Sequence, residues 1–193
     1  MKFTKRFKEE DEVHGTYELF SELFVSRLGN VLGFPVLEVS LTHEGLVMEY
    51  LPRKVISPSD IRNLAQLKKA LPFEEWVLNI DLKQDHLMAD EEDNGYIIDH
   101  GHSLLSWKPL YYVYEIINKP VTRFNLWSDE YHFKEGVEII RSLDKKSRDV
   151  LLKESVNEVL SYRKLDSSLV NDFLEVSSKI LDYREKLLCS FKN

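Results

Sequence analysis

One β-hairpin constrains this chain more than any other feature. Leu87-Met88-Ala89 and Tyr96-Ile97-Ile98 are short apolar runs, and Asp90-Glu91-Glu92-Asp93-Asn94-Gly95 lies between them. Asn-Gly is a strong turn signal, because both residues tolerate the positive φ that tight hairpin turns demand. The two runs therefore pair antiparallel, and the acidic stretch 90–93 reads as a solvated tip. What enters the first strand and what leaves the second must lie at the same end of the pair. Asn79-Ile80-Asp81-Leu82-Lys83-Gln84-Asp85-His86 enters, and Ile97-Ile98-Asp99-His100-Gly101-His102 leaves. Asp81, His86 and Asp99 are thus expected to converge on one loop region braced by two strands.

The remaining pattern predicts an α+β fold. Residues 3–7 alternate in character as a short strand, and residues 8–12 form a charged turn. A helix is predicted from about Thr16, with Phe20, Leu23, Phe24, Leu28, Val31 and Leu32 on its apolar face. Gly29 and Gly33 mark its end, and Pro35 forbids continuation. Val36-Leu37-Glu38-Val39-Ser40-Leu41 and Leu46-Val47-Met48-Glu49-Tyr50 read as a hairpin turned by Thr42-His43-Glu44-Gly45. Ser57-Pro58-Ser59-Asp60 reads as a capped helix start, with the helix running through Ile61, Leu64, Ala65 and Leu67. Pro72 is expected to begin a further helix carrying Trp76, Val77 and Ile80. From about Lys134 the spacing is helical, and a last helix is predicted over roughly 167–191, with Arg184 and Lys186 read as solubilising charge. The expected organisation is one domain, 1–193. A small partial α/β unit spans 1–52, and a mainly helical unit spans 53–193 around the catalytic hairpin. Residues 53–57 are the expected hinge.

Composition narrows the function classes. The 193 residues are 43% hydrophobic and carry 26 basic against 33 acidic groups, a net charge of −7. That balance argues against a nucleic-acid binder, which needs a basic surface for phosphates. Cys189 is the only cysteine, so neither an internal disulfide nor a cysteine-built zinc site is possible. No apolar run approaches the ~20 residues of a membrane span, and the first residues lack the apolar core of a signal peptide. A cytoplasmic enzyme or binding module is the expectation, with no nucleic-acid and no membrane partner.

The hairpin residues suit phosphoryl transfer. That reaction needs a carboxylate to orient the acceptor hydroxyl, ligands to fix a metal on the phosphates, and an aimed lysine to neutralise phosphate oxygens. Asp81 suits the first task, Asp99 and His86 the second, and Lys5 with Glu22 the third, with Lys2 the rival to Lys5. Trp76-x-x-Asn79-x-Asp81 followed by Tyr96-Ile97-Ile98-Asp99-His100-Gly101-His102-Ser103-Leu104 resembles the HipA-like kinases, within the wider superfamily of protein and phosphatidylinositol kinases. Glu22-Leu23-Phe24-Val25-Ser26-Arg27-Leu28-Gly29 with Leu32-Gly33-Phe34-Pro35-Val36 is similar to that family's first helix and its exit. Residues 174–188 are similar to its closing helix.

The resemblance implies a kinase-like, two-lobed fold and ATP-dependent transfer to a serine or threonine hydroxyl of a protein, with Mg2+ or Mn2+. It implies Asp81 as catalytic base, Asp99 as metal ligand and His86 at the second metal-ligand position. It further implies Lys5 on the phosphates paired with Glu22, and Glu49, Tyr50 and Leu51 as the adenine-facing segment. Three departures stand out. The family has Asn where His86 stands, and imidazole favours softer ions than magnesium. It has Arg-His where this chain has Leu82-Lys83, which leaves Lys83 to offer a cation to the transferred group. Only four residues precede Lys5, so the glycine-rich phosphate-covering loop is expected to be missing or to come from a partner chain or dimer. Two other readings follow: a kinase-like module that binds nucleotide or a protein without turnover, and a metal-dependent phosphohydrolase.

Overall fold

A computed structural model of the chain describes residues 1–6, 12–105 and 108–191. The fold is α+β, built from two small antiparallel sheets and a set of helices. The first sheet contains β1 (Lys2–Arg6), β2 (Val39–Thr42) and β3 (Gly45–Glu49) in the order β1-β3-β2. The second contains β4 (Arg53–Lys54), β5 (Leu87–Ala89) and β6 (Gly95–Ile97) in the order β4-β5-β6. Residues 35–37 join the two: Leu37 N–H donates to the Ile97 carbonyl at 3.0 Å, and Ile97 N–H donates to the Pro35 carbonyl at 2.8 Å.

Helix α1 (Glu12–Leu32) lies between β1 and β2 in the chain and supplies the centre of the core. Phe20, Leu23, Phe24 and Leu28 are fully buried along one stripe. Phe20 meets Phe173 of α6 (Ser167–Leu187) with ring centroids 4.9 Å apart. The helix ends in a double-bonded cap. Gly33 has φ +73°, its N–H donates to Asn30 O, and Phe34 N–H donates to Gly29 O. A Cβ on Gly33 would strain this left-handed turn, so glycine is required here. Phe34 then packs on Phe73 of α2 (Leu64–Trp76), centroids 4.9 Å apart.

The remaining helices are α3 (Leu110–Ile116), α4 (Glu130–Arg141) and α5 (Lys145–Leu160). Asp129 caps α4 and Asp144 caps α5 through side-chain acceptors, as short acidic residues do before a first turn. Among the described residues, no helix is long and apolar enough to cross a membrane.

Several sequence expectations change. Helix α1 starts four residues before Thr16, at Glu12. Phe7 and residues 8–11 of the expected strand end and turn lie outside the described residues. Val36 and Leu37 do not join the first hairpin; they dock on β6, because Pro35 turns the chain toward the second sheet. Thr42 and Gly45 belong to the strands, and His43 and Glu44 alone make the turn. Ser57 does cap with Asp60 in a reciprocal box, but it caps only a 3-10 turn (Pro58–Asp60). Ile61 leaves that turn in extended backbone, and α2 begins afresh at Leu64. Arg53 and Lys54 of the expected hinge form β4 and pair with β5. The last helix gives way to a 3-10 turn at Leu188.

Pro72 sits inside α2 instead of starting a helix. Its missing N–H orphans the Lys68 carbonyl one turn earlier. Ser128 Oγ–H fills that vacancy at 2.6 Å. The same stretch of α2 packs against α4 at Gly136, where an added Cβ would stand 2.1 Å from Lys69 O and 2.5 Å from Pro72 Cγ. Gly136→Ala is therefore expected to destabilise the fold by about 3 kcal/mol through forced separation of the helices. Urea unfolding would show it as a lower midpoint at unchanged slope; an unchanged midpoint would refute the close packing.

Candidate active site

The loop between α2 and β5 is shaped by a strained helix ending. Leu78 N–H donates to Glu75 O and Asn79 N–H donates to Glu74 O. That pattern needs a left-handed residue after the helix, and Leu78 takes it with φ 56°. Leucine dislikes this conformation, but its side chain is fully buried, and the burial offsets the strain. Asn79 is buried as well. Its amide donates to Glu74 Oε2 at 2.7 Å, and its Oδ1 accepts from Asp81 N–H at 3.3 Å. Asn79 therefore aims the Asp81 loop.

The return strand delivers Asp99. Ile98 N–H donates to His86 O at 3.0 Å, so the backbone on either side of the hairpin is tied where the site forms. Asp99 itself has φ 67°. His86 Nε2 lies 3.8 Å from Asp81 Oδ2 and 3.9 Å from Asp99 Oδ2. The predicted convergence of Asp81, His86 and Asp99 is thus present. Lys83 Nζ stands 3.5 Å from Asp81 Oδ2.

Lys5 reaches the same place from β1. Its Nζ donates to Asp99 Oδ1 at 2.6 Å. Register explains the reach: Lys5 pairs with Leu46, so the two side chains share one face of the sheet, and Lys5 stays half exposed at its rim. Glu22 is buried on α1, beside the loop that carries His100 and Gly101. Among the described residues no ion pair within 4 Å joins Lys5 to Glu22. Lys5 bonds Asp99 instead, and Glu22 acts on it at longer range.

Charge explains the electrostatics. Burial pushes the Glu22 carboxyl up, with His100 and Lys5 opposing. Burial works against the His100 imidazolium, but Glu74, then Glu22 and Asp99, outweigh it and raise its pKa. His100 Nε2 is 3.1 Å from Glu74 Oε1, in a fully buried contact. Burial holds His86 below the usual histidine value, and Lys83 adds to that against Asp99 and Asp81. Burial would raise Asp99, but Lys5, followed by His86 and His100, holds it below the ordinary carboxylate range.

Two features single out this cluster as the candidate site. Among the described residues, three buried side-chain polar atoms lack a hydrogen-bond partner: Glu22 Oε2, His86 Nδ1 and Ser103 Oγ. All three lie on or beside the Asp99 loop. Native interiors leave few such groups. Seven described non-glycine residues have positive φ, and Leu78, Asp99, Leu104 and Leu105 bracket the same cluster. Unpaired polar groups and strained backbone gather where function demands them.

Three residues escaped the sequence reading. Arg123 Nη1 lies 3.5 Å from Asp81 Oδ1, although 42 positions separate them and no motif connects them. Arg184 is not solubilising charge. It is wholly buried and ion-paired to buried Glu75 at 2.7 Å. Burial brings Arg184 down to about 10 against the pull of Glu75. Removing one partner of such a pair costs roughly 3–5 kcal/mol. Glu74 was also missed; its burial beside apolar Leu71 and Phe73 gave no sign of its role.

Glu49 ends β3, and Tyr50 and Leu51 follow it on the connection to β4. Glu49 and Tyr50 are exposed, Leu51 is buried, and Tyr50 N–H donates to Met1 O at 2.8 Å. Among the described residues no hydrogen bond or ion pair ties them to the Asp81–His86–Asp99 cluster. A cleft of about 660 Å³ beside Phe133, Val137 and Cys189 is lined by none of the cluster's residues.

The donors suit a divalent cation in kind: two carboxylates and an imidazole. No group of three or more His, Cys, Asp or Glu among the described residues closes around an ion, and Lys5 already neutralises Asp99. Magnesium beside a nucleotide takes one or two carboxylates and completes its shell with phosphate and water, a sparse mode that Asp99 fits, while the His86 imidazole suits a softer ion such as manganese. The sequence matches no protein-family model and no curated protein.

Glu22 supplies a test of the electrostatics. Its raised pKa means that ionised Glu22 works against folding, an effect that fades as pH falls through its folded-state pKa toward 4.5, the ordinary value for a glutamate. Glu22→Gln is expected to stabilise the fold at neutral pH by about 1 kcal/mol. The gain should vanish on acidification, where Glu22 is itself neutral. Urea unfolding of both proteins across this range measures it; a Gln variant less stable at neutral pH would contradict the assignment.

Proposed function

We propose that this chain is an ATP-dependent phosphotransferase of the HipA-like kinase type, acting on a serine or threonine hydroxyl of a protein. The observation that carries the reading is the meeting of Asp81, His86, Asp99 and Lys5 at one end of the β5–β6 hairpin. The orphaned Glu22, His86 and Ser103 atoms around it support it.

Each residue then has a task. Asp81, aimed by Asn79, orients the acceptor hydroxyl and accepts its proton as the oxygen bonds the terminal phosphorus and the bond to the nucleoside diphosphate breaks. Lys5 moves between Asp99 and the phosphate oxygens. Lys83, beside Asp81, neutralises charge on the transferred group. Asp99 and His86 would hold the metal, Mg2+ or Mn2+, which when bound spreads the negative charge of the phosphates. Residues 49–51 would face the adenine. In this reading residues 1–52 and the helical remainder correspond to the two lobes, and the protein works in the cytoplasm.

A second reading has one observation in its favour. Lys5 closes on Asp99 and occupies the carboxylate that a metal would need. A module that binds nucleotide or a protein without turnover would tolerate this.

Incubation with γ-labelled ATP, Mg2+ or Mn2+ and candidate acceptor proteins decides between them. The wild type is expected to transfer label, and Asp81→Ala should lose on the order of a thousandfold or more. Equal transfer by the variant would remove Asp81 from the mechanism. ATP binding with no transfer would favour the second reading.

A further inference from the structure

The buried Glu75–Arg184 pair has no partner in the core chemistry; what it holds is a surface segment. Arg184 Nη1 donates to Ile117 O at 3.0 Å and to Lys119 O at 2.7 Å. Glu75 accepts from Val121 N–H at 2.8 Å and from Thr122 N–H at 3.0 Å, and from Thr122 Oγ–H at 2.6 Å. A solvent-facing connection rarely receives this many bonds from two fully buried charges. The next residue is Arg123. Its N–H donates to Leu82 O at 3.1 Å, inside the Asp81 loop. Its guanidinium is two-thirds exposed and stands 3.5 Å from Asp81.

We propose that the clamped 117–123 segment is part of the site and that Arg123 is its phosphate-binding residue, gripping the oxygens of a phosphoryl group beside Asp81. A guanidinium at 3.5 Å from a lone carboxylate is loosely engaged, and its planar fork is shaped for bidentate phosphate contact. In a chain of net charge −7, Lys5, Lys83 and Arg123 all point at this one cluster of carboxylates. The fixed backbone matters, because an arginine on an unrestrained loop would lose affinity in ordering it. The inference deepens the phosphotransferase reading, yet its anion-binding core stands apart from turnover.

Tripolyphosphate is the probe, titrated calorimetrically into the full chain at low salt. Arg123→Ala should weaken binding about tenfold, the worth of one charge-assisted contact. Arg123→Lys should fall between, because it keeps the charge and loses the fork. Since Arg123 is exposed, the urea midpoint of Arg123→Ala should match wild type, which separates binding from folding. Thr122→Val, which removes one bond of the clamp, should weaken tripolyphosphate in the same direction by a smaller factor. Equal affinity in wild type and Arg123→Ala overturns the proposal, as does a wild type that does not bind tripolyphosphate. Arg123-dependent binding in a protein that transfers no label from ATP upholds the anion site and rejects the phosphotransferase reading.

Discussion

The arrangement of the site depends on a buried imidazole held between buried carboxylates. His100 sits against Glu74 of α2, with Glu22 of α1 on the side of its backbone. All three groups are buried, and the charge on the imidazole depends on the carboxylates that face it. The cluster therefore locks the loop after β6 onto two helices at once. Glu74 also holds Asn79, and Asn79 holds the backbone of Asp81. One chain of polar contacts thus sets both carboxylates of the hairpin relative to each other. Helix packing alone would leave that geometry loose, since dispersion has little directional preference.

Order in the core contrasts with frustration at the site. Phe20, Phe73, Trp76 and Phe173 are buried with good partners, and even the Trp76 N–H finds Leu181 O at 3.0 Å. The unpaired Glu22, His86 and Ser103 atoms gather instead around the Asp99 loop. The left-handed residues Leu78, Asp99, Leu104 and Leu105 flank the same region. Leu104 N–H bonds Val77 O at 2.8 Å, so the strained turns brace one another. A fold selected for stability alone would fill or remove these defects.

Local signals were legible where one residue type dictates one backbone state. Asn94-Gly95 pointed to the hairpin, although the positive φ falls on Asp93 and Gly95 opens β6; Gly33 and Pro35 announced the end of α1, and the apolar spacing of Phe20, Leu23, Phe24 and Leu28 announced its buried face. Misreadings arose where a distant group reversed a local preference. Pro72 looked like a helix start because sequence could not show Ser128 taking the carbonyl it orphans. Ser57 capped as expected, but nothing in the spacing of Ser57 and Asp60 shows that the turn stops after three residues. Arg184 looked solvated because charge on a terminal helix usually is; its partner Glu75 lies 109 positions away.

By itself the sequence determined the α+β class, the central hairpin, and the grouping of Asp81, His86 and Asp99 at one end of it. These follow from turn chemistry and strand pairing, which act over a few residues. Only the tertiary structure decided that Lys5 reaches Asp99 from another sheet, that Glu74, Glu22 and His100 form one buried polar cluster, and that Arg123 stands beside Asp81. Those contacts join residues scores of positions apart. Their positions are set by how whole elements pack, and no local preference encodes that.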